Sequence, residues 1–200
     1  MKKKYWIILL IIIFVISGMI FFRKSFKNKK NGNNKNSQEI LEDILNLSSY
    51  ETKITVTITS NKNNNKYVLI QKYSKNNSIQ EVLEPSNIAG IKITNDGTNL
   101  KLENSNINLN KILENYTYLG NNCLDLSTFI EDYKENEKSK FEENETEIIM
   151  STNSRLSNIY IQEKALHIDK KTKMPTQMVI KDNKQKSMIY ILYNEVKINM

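Results

Sequence analysis

The stretch Lys164-Ala165-Leu166-His167-Ile168-Asp169-Lys170-Lys171-Thr172-Lys173-Met174-Pro175 decides how the chain is read. It is an alternating run closed by a polar turn and a proline. Thr176–Lys181 and Ser187–Asn199 follow in the same manner, separated by Asp182-Asn183-Lys184-Gln185. Short apolar runs bounded by polar clusters predict an antiparallel meander. Asp169 and Thr172 can bond local backbone groups in the first turn, and Pro175 fixes φ ahead of the next strand.

Working outward, the upstream chain predicts more strands. Ile54, Val56 and Ile58 alternate with threonines, and Lys66–Tyr73 returns across a turn at Asn61–Asn65. Ser78–Leu83 continues the pattern. After Pro85, Ile88–Thr94 and Leu100–Glu103 flank Asp96-Gly97, which predicts a type I′ hairpin with positive φ at both residues. Glu147–Thr152 is the strand leading into the closing meander.

Three segments predict helix. Ser37–Leu47 carries Ile40, Leu41, Ile44 and Leu45 on one face, with Ser37 as N-cap. Leu109, Ile112, Leu113 and Tyr116 form a second stripe, with Gly120 as its C-terminal cap. Leu126, Phe129, Ile130 and Tyr133 form a third, beginning near Asp125 or Ser127. Lys134–Thr146 is densely charged, and the acids Glu131, Asp132, Glu135, Glu137, Glu142, Glu143, Glu145 and Glu147, interleaved with Lys134, Lys138 and Lys140, read as a solvated, partly disordered surface.

Tyr5–Phe22 contains no charged residue and follows Lys2-Lys3-Lys4. As a helix it would span about 27 Å, close to the ~30 Å hydrocarbon core. It exceeds a signal-peptide apolar region and no A-x-A site follows, so the expectation is an uncleaved signal anchor. Tyr5, Trp6, Phe14, Phe21 and Phe22 are its predicted membrane-contacting aromatics. With no cysteine near its end, a lipid anchor is excluded. The predicted organisation is a cytoplasmic tip and anchor at 1–22, a basic tether at 23–36, and an extracytoplasmic domain at 37–200.

The net charge of +7 belongs to the anchor's flanks. Residues 1–36 hold nine basic groups and no acid, which leaves 20 basic against 22 acidic groups beyond them. Only Arg23 and Arg155 are arginine, so the planar fork that nucleic-acid recognition favours is scarce. Cys123 and His167 are single. One cysteine allows no intrachain disulfide, and the pair supplies too few ligands for a transition-metal site. No phosphate-cradling glycine motif is present. The expectation is a non-enzymatic protein with no cofactor.

The order of these features carries a resemblance. Ser48-Ser49-Tyr50 opens a strand pair, Glu81-Val82-Leu83-Glu84-Pro85 closes one, and the Asp96-Gly97 hairpin and helices follow. Asp169, Thr172 and Pro175 then punctuate the meander that ends in Tyr193-Asn194-Glu195. In this the chain resembles the LolA/LolB lipoprotein-carrier superfamily, and within it the GerS-type germination proteins of spore-forming bacteria. The resemblance covers residues 37–200. It implies an α+β fold: a curved antiparallel sheet, an unclosed half-barrel, covered or plugged by helices. Leu126, Phe129, Ile130 and Tyr133 would line or fill the hollow, while Pro85, Asp96, Gly97, Asp169, Thr172 and Pro175 would be structural turns.

Functionally, the resemblance implies a membrane-anchored partner of a cortex-modifying N-acetylmuramoyl-L-alanine amidase, needed for muramic-δ-lactam formation and germination. Two alternatives share the fold: a lipid- or lipoprotein-binding carrier, and an envelope-stress sensor acting on an anti-sigma factor. A permanent anchor suits an adaptor better than a shuttle. Homodimerisation through exposed strand edges is a further expectation.

Overall fold

A computed structural model describes residues 36–60, 63–75, 77–116, 123–155 and 159–199. The predicted anchor residues Tyr5, Trp6, Phe14, Phe21 and Phe22, most of the tether, and Gly120 lie outside these. Among the described residues no helix is long and apolar enough to cross a membrane. The chain divides into two compact units, Met1–Leu41 and Glu42–Met200.

Helix α1 covers residues 36–45, with Ile40 and Ile44 buried. Ser37 lies inside it and is itself buried, so it is not the predicted cap. Eleven strands follow: β1 Ser49–Thr59, β2 Asn64–Ser74, β3 Asn77–Glu84, β4 Lys92–Asn95, β5 Leu100–Asn104, β6 Leu109–Leu113, β7 Lys140–Glu143, β8 Glu147–Asn153, β9 Glu163–Asp169, β10 Pro175–Lys181 and β11 Ser187–Asn199. Helix α2, Leu126–Glu135, stands between β6 and β7.

All eleven strands form one sheet in the order β6-β5-β4-β3-β2-β1-β11-β10-β9-β8-β7. Every described pairing is antiparallel, and the sheet is open, with β6 and β7 at its edges. The two halves are each a plain meander. They are joined where β1 pairs with β11 from Ser49↔Asn199 to Ile58↔Ile189. A bulge between Lys53 and Ile54 leaves Asn194 without a ladder partner, and its amide donates to Thr55 Oγ1 at 2.9 Å.

Period-two alternation places one face of each strand inside. Ile54 and Val56 of β1, Ile191 of β11, Met178 and Ile180 of β10, Leu166 and Ile168 of β9, and Ile148 and Met150 of β8 are all fully buried. The register aligns Met150, Leu166, Met178, Ile191 and Val56 in one row across five strands. Burial of these branched and thioether side chains is the main source of stability in this unit.

Three expectations are corrected. Residues 109–113 are strand β6, not helix. Asn104 accepts from Asn106 N to cap a 3-10 turn, and Asn108 at φ 50° reverses the chain, so 109–113 fold back onto the free edge of β5. A stripe this short fits either period, and the available sheet edge decides it. Lys134–Thr146 is not a disordered surface: α2 runs to Glu135 and Lys140–Glu143 pairs with β8. Among the described residues of the Asp96–Asn99 loop only Gly97 has positive φ, 90°, so the turn is not type I′. Asp96 instead accepts from the backbone N–H groups of Thr98 and Asn99 at 2.9 and 2.6 Å. In addition, β4 begins at Lys92 rather than Ile88, because 86–90 turn ahead of it.

Candidate functional site

Helix α2 is the third predicted stripe, and it exists for the reason its spacing gives. Leu126, Phe129 and Ile130 are buried at positions i, i+3 and i+4. Tyr133 continues the stripe. Its ring lies 6.0 Å from that of Phe129, and its hydroxyl donates to Lys140 O at 3.2 Å. Leu126 and Phe129 have no exposure at all, Tyr133 is half-buried, and the helix packs on β8.

The helix touches strands that lie far apart in the sheet. At its N-terminal end, Gln71 of β2 donates to Leu124 O at 3.1 Å and Gln80 of β3 donates to Asp125 Oδ1 at 2.5 Å. At its C-terminal end, Thr152 of β8 donates to Asp132 O at 3.3 Å and Lys164 of β9 meets Asp132. From β3 to β9 is five strand spacings, about 24 Å in a flat sheet. Asp125 to Asp132 covers only about 10 Å of helix. Contact at both ends is met by a sheet that curls around α2.

Two polar assemblies lie beneath the helix. The first is a charged knot. Asp132, 1% exposed, accepts a hydrogen bond from Arg155 Nε at 2.8 Å on Oδ1, and its Oδ2 forms an ion pair with Lys164 Nζ at 2.8 Å. The same guanidinium reaches Glu135 at 2.9 Å and Glu131 at 2.7 Å. Three carboxylates of α2, at positions i, i+1 and i+4, thus share one arginine from the β8–β9 loop. Burial opposes the guanidinium's charge, but the hydrogen bonds from these carboxylates raise its pKa further above its ordinary value. Lys164, with no exposure, is tied to the helix from below.

The second is a buried polar layer. Thr52, Gln71 and Gln80 face one another across β1, β2 and β3, each at most 5% exposed. Asp125, the N-cap residue of α2, sits over them and makes no cap bond with its side chain. Burial pushes its carboxyl up to about 6, against the pull of Gln80 and Lys164. Burial also raises the phenols of Tyr50 and Tyr193, with Asp125 adding to both. Tyr50 stacks on Tyr73 at 5.4 Å. Thr52 Oγ1, Gln71 Oε1 and Tyr193 OH are buried without a protein hydrogen-bond partner.

Sequence reasoning placed Glu131, Asp132 and Glu135 on a solvated surface; Asp132 is instead buried, because Arg155 and Lys164 compensate it. The available signal was Arg155, the sole arginine beyond residue 23 in a lysine-rich chain. His167 lies on the outer face of β9, with Nδ1 3.0 Å from Glu147 Oε2. Cys123 is half-buried near the start of α2, and burial raises its thiol. Among the described residues no cluster of His, Cys, Asp and Glu could hold a metal ion. Asp169 accepts from Thr172 N and Oγ1 at 2.7 and 2.9 Å, Pro175 opens β10, and Pro85 follows β3.

Over residues 2–200 the sequence matches the family described as YdcC-like sporulation protein. The chain belongs to that family. No curated protein matches it. Among solved structures, this YdcC-like chain is similar to a chain in the complex of the CwlD amidase with the GerS lipoprotein from Clostridioides difficile. Identity is 26%, the TM-score is 0.52, and the match covers 79% of this chain and 91% of that one. An uncharacterised conserved protein from Thermus thermophilus shares the fold at 13% identity and TM-score 0.53, covering 81% of this chain and 86% of its own. A LolA superfamily protein from Nitrosomonas europaea aligns more loosely, at 13% identity and TM-score 0.43, with 82% and 94% covered.

Proposed function

We propose that this YdcC-like chain is a non-enzymatic, membrane-anchored extracytoplasmic protein that binds and supports a cell-wall amidase during sporulation or germination. The observation that carries this reading is the 26% identity, over 79% of the chain, to the amidase–GerS complex. We read the matched chain as GerS. The sporulation family supports the developmental setting.

The architecture suits a binding module. Its inner face is filled by Leu126 and Phe129, and its buried charges are spent on one another in the knot of Asp132, Lys164 and Arg155. A filled hollow favours the adaptor over the lipid carrier, because an acyl chain would have to displace two fully buried side chains. The 18-residue apolar run at Tyr5–Phe22 supports anchoring, with residues 37–200 outside the cytoplasm.

The experiment is co-purification of the full chain, solubilised from sporulating cells, with the amidase of the same organism, together with muramic-δ-lactam analysis of a deletion strain. Stoichiometric co-purification and loss of the lactam are expected. No complex and an unchanged lactam content would overturn the reading.

A further inference from the structure

Alternation puts a second set of side chains on the face opposite Met150, Leu166, Met178, Ile191 and Val56. Two neighbouring rows cross the middle of that outer face. The first runs Ser151, Ala165, Val179, Tyr190 and Thr57, and it ends on Lys140 of β7 and Lys66 of β2. The second runs Ile149, His167, Gln177, Leu192, Thr55 and Val68, and it ends on Glu142 of β7 and Glu84 of β3. Between those ends neither row holds a Lys, Arg, Asp or Glu. Charge also returns along both long sides. Glu163, paired with Lys181 at 3.1 Å, lies beyond the first row, and Glu147, Asp169, Glu195 and Lys53 lie beyond the second.

The uncharged middle has relief. Ser151 and Ala165 are short, and an open groove of about 620 Å³ lies over them, bordered by Lys138, Lys140 and Glu142 towards β7 and by Val179 and Lys181 on β10. Beside it stand Tyr190 and Leu192, 39% and 40% exposed. The Tyr190 hydroxyl donates to Gln177 Oε1 on the neighbouring strand, which fixes the ring in place and leaves little freedom to lose on binding. In a chain of which 26% is charged, an uncharged centre holding a fixed tyrosine inside a charged border has the composition of a protein interface.

We propose that this outer face is the docking surface for the cell-wall amidase, which seats an uncharged aliphatic or aromatic side chain in the groove over Ala165 and packs on Tyr190 and Leu192. The assignment rests on the amidase reading above and names the surface that serves it. Eight strands at ~4.8 Å and four residue rows give a footprint of roughly 34 Å by 20 Å, about 700 Å². That is close to the ~800 Å² per partner of a standard non-obligate complex and below the ~1,000 Å² or more of an obligate dimer. The size therefore suits a separate protein better than a permanent second copy. A bilayer surface fits less well, because the border carries acids as well as lysines. The hydroxyls of Ser151 and Thr57 and the amide of Gln177 suit directional hydrogen bonds to a polypeptide.

The test titrates the amidase of the same organism against the full chain in detergent. Tyr190→Ala and, independently, Thr57→Arg should each weaken binding by about thirtyfold or more, the loss expected at a hot spot, with thermal unfolding of the chain little changed. Tyr190→Phe should bind like the wild type. So should Ile112→Arg, which alters an apolar position of β6 that is 56% exposed and lies outside this face. Wild-type binding that neither Tyr190→Ala nor Thr57→Arg weakens, or that Ile112→Arg weakens equally, overturns the docking surface and leaves the amidase reading standing. No binding by the wild-type chain overturns both. Self-association of the wild-type chain that Thr57→Arg abolishes would give the face to a second copy and also overturn the proposal.

Discussion

Lys164 of β9 and Asp132 of α2, each 1% exposed at the side chain, stand 2.8 Å apart beneath the helix. Two charges buried this deeply are stable only together. Asp132→Ala should therefore destabilise the domain by about 3–5 kcal/mol, because it strands Lys164 and also releases Arg155. Lys164→Met should cost less, since Arg155 still compensates Asp132. The double change Asp132→Ala with Lys164→Met should cost less than the sum of the two. Urea unfolding of the four proteins measures the coupling; additive costs would show that the two residues act separately.

Asp125 gives the domain an unusual pH dependence. Its carboxyl is raised from 3.8 to about 6 by burial, so the folded chain holds the proton more tightly than the unfolded one. This group's contribution thus improves as pH falls through 6 and is fully unfavourable above it, by about 3 kcal/mol. Asp125→Asn keeps an acceptor for Gln80 and removes the charge. It should raise stability at pH 7, and the gain should shrink towards pH 4.5. A gain that does not vary with pH would contradict this assignment.

Thr52 offers a simpler test. Its hydroxyl is buried without a protein partner, in register with Gln71 and Gln80. Thr52→Val keeps the shape and removes the desolvated oxygen. Thermal unfolding should show a gain of about 1 kcal/mol; a loss would mean that the hydroxyl is satisfied in solution.

Phe129 should be the most sensitive apolar position on α2. Truncation to alanine removes a ring with no exposed surface and should cost about 3–5 kcal/mol. Tyr133→Phe, which loses only a hydrogen bond to Lys140 O, should cost about 1 kcal/mol.

The meander from Lys164 onward was readable because its alternation, turn residues and burial coincide: Leu166, Ile168, Met178 and Ile180 point inward in the expected places. The α2 stripe was readable for the same reason. Strand β6 was not, because its identity comes from pairing with β5, a partner that the local sequence of 109–113 does not specify. Asp132 looked like any other acid in a charged run. Its burial depends on Arg155 and Lys164, 23 and 32 positions away, and no local pattern encodes that meeting.

The pairing of β1 with β11 sets an order of events for the newborn polypeptide. Ser49 finds Asn199 across 150 positions, so the inner edge of the first meander stays open until β11 has been delivered. Everything before β11 can form hairpins, but the two halves cannot be sealed together. For a chain that emerges progressively from ribosome or translocon, the final thirteen-residue strand is the closing seam. A premature stop anywhere within it would release two sticky half-sheets rather than a slightly shortened domain.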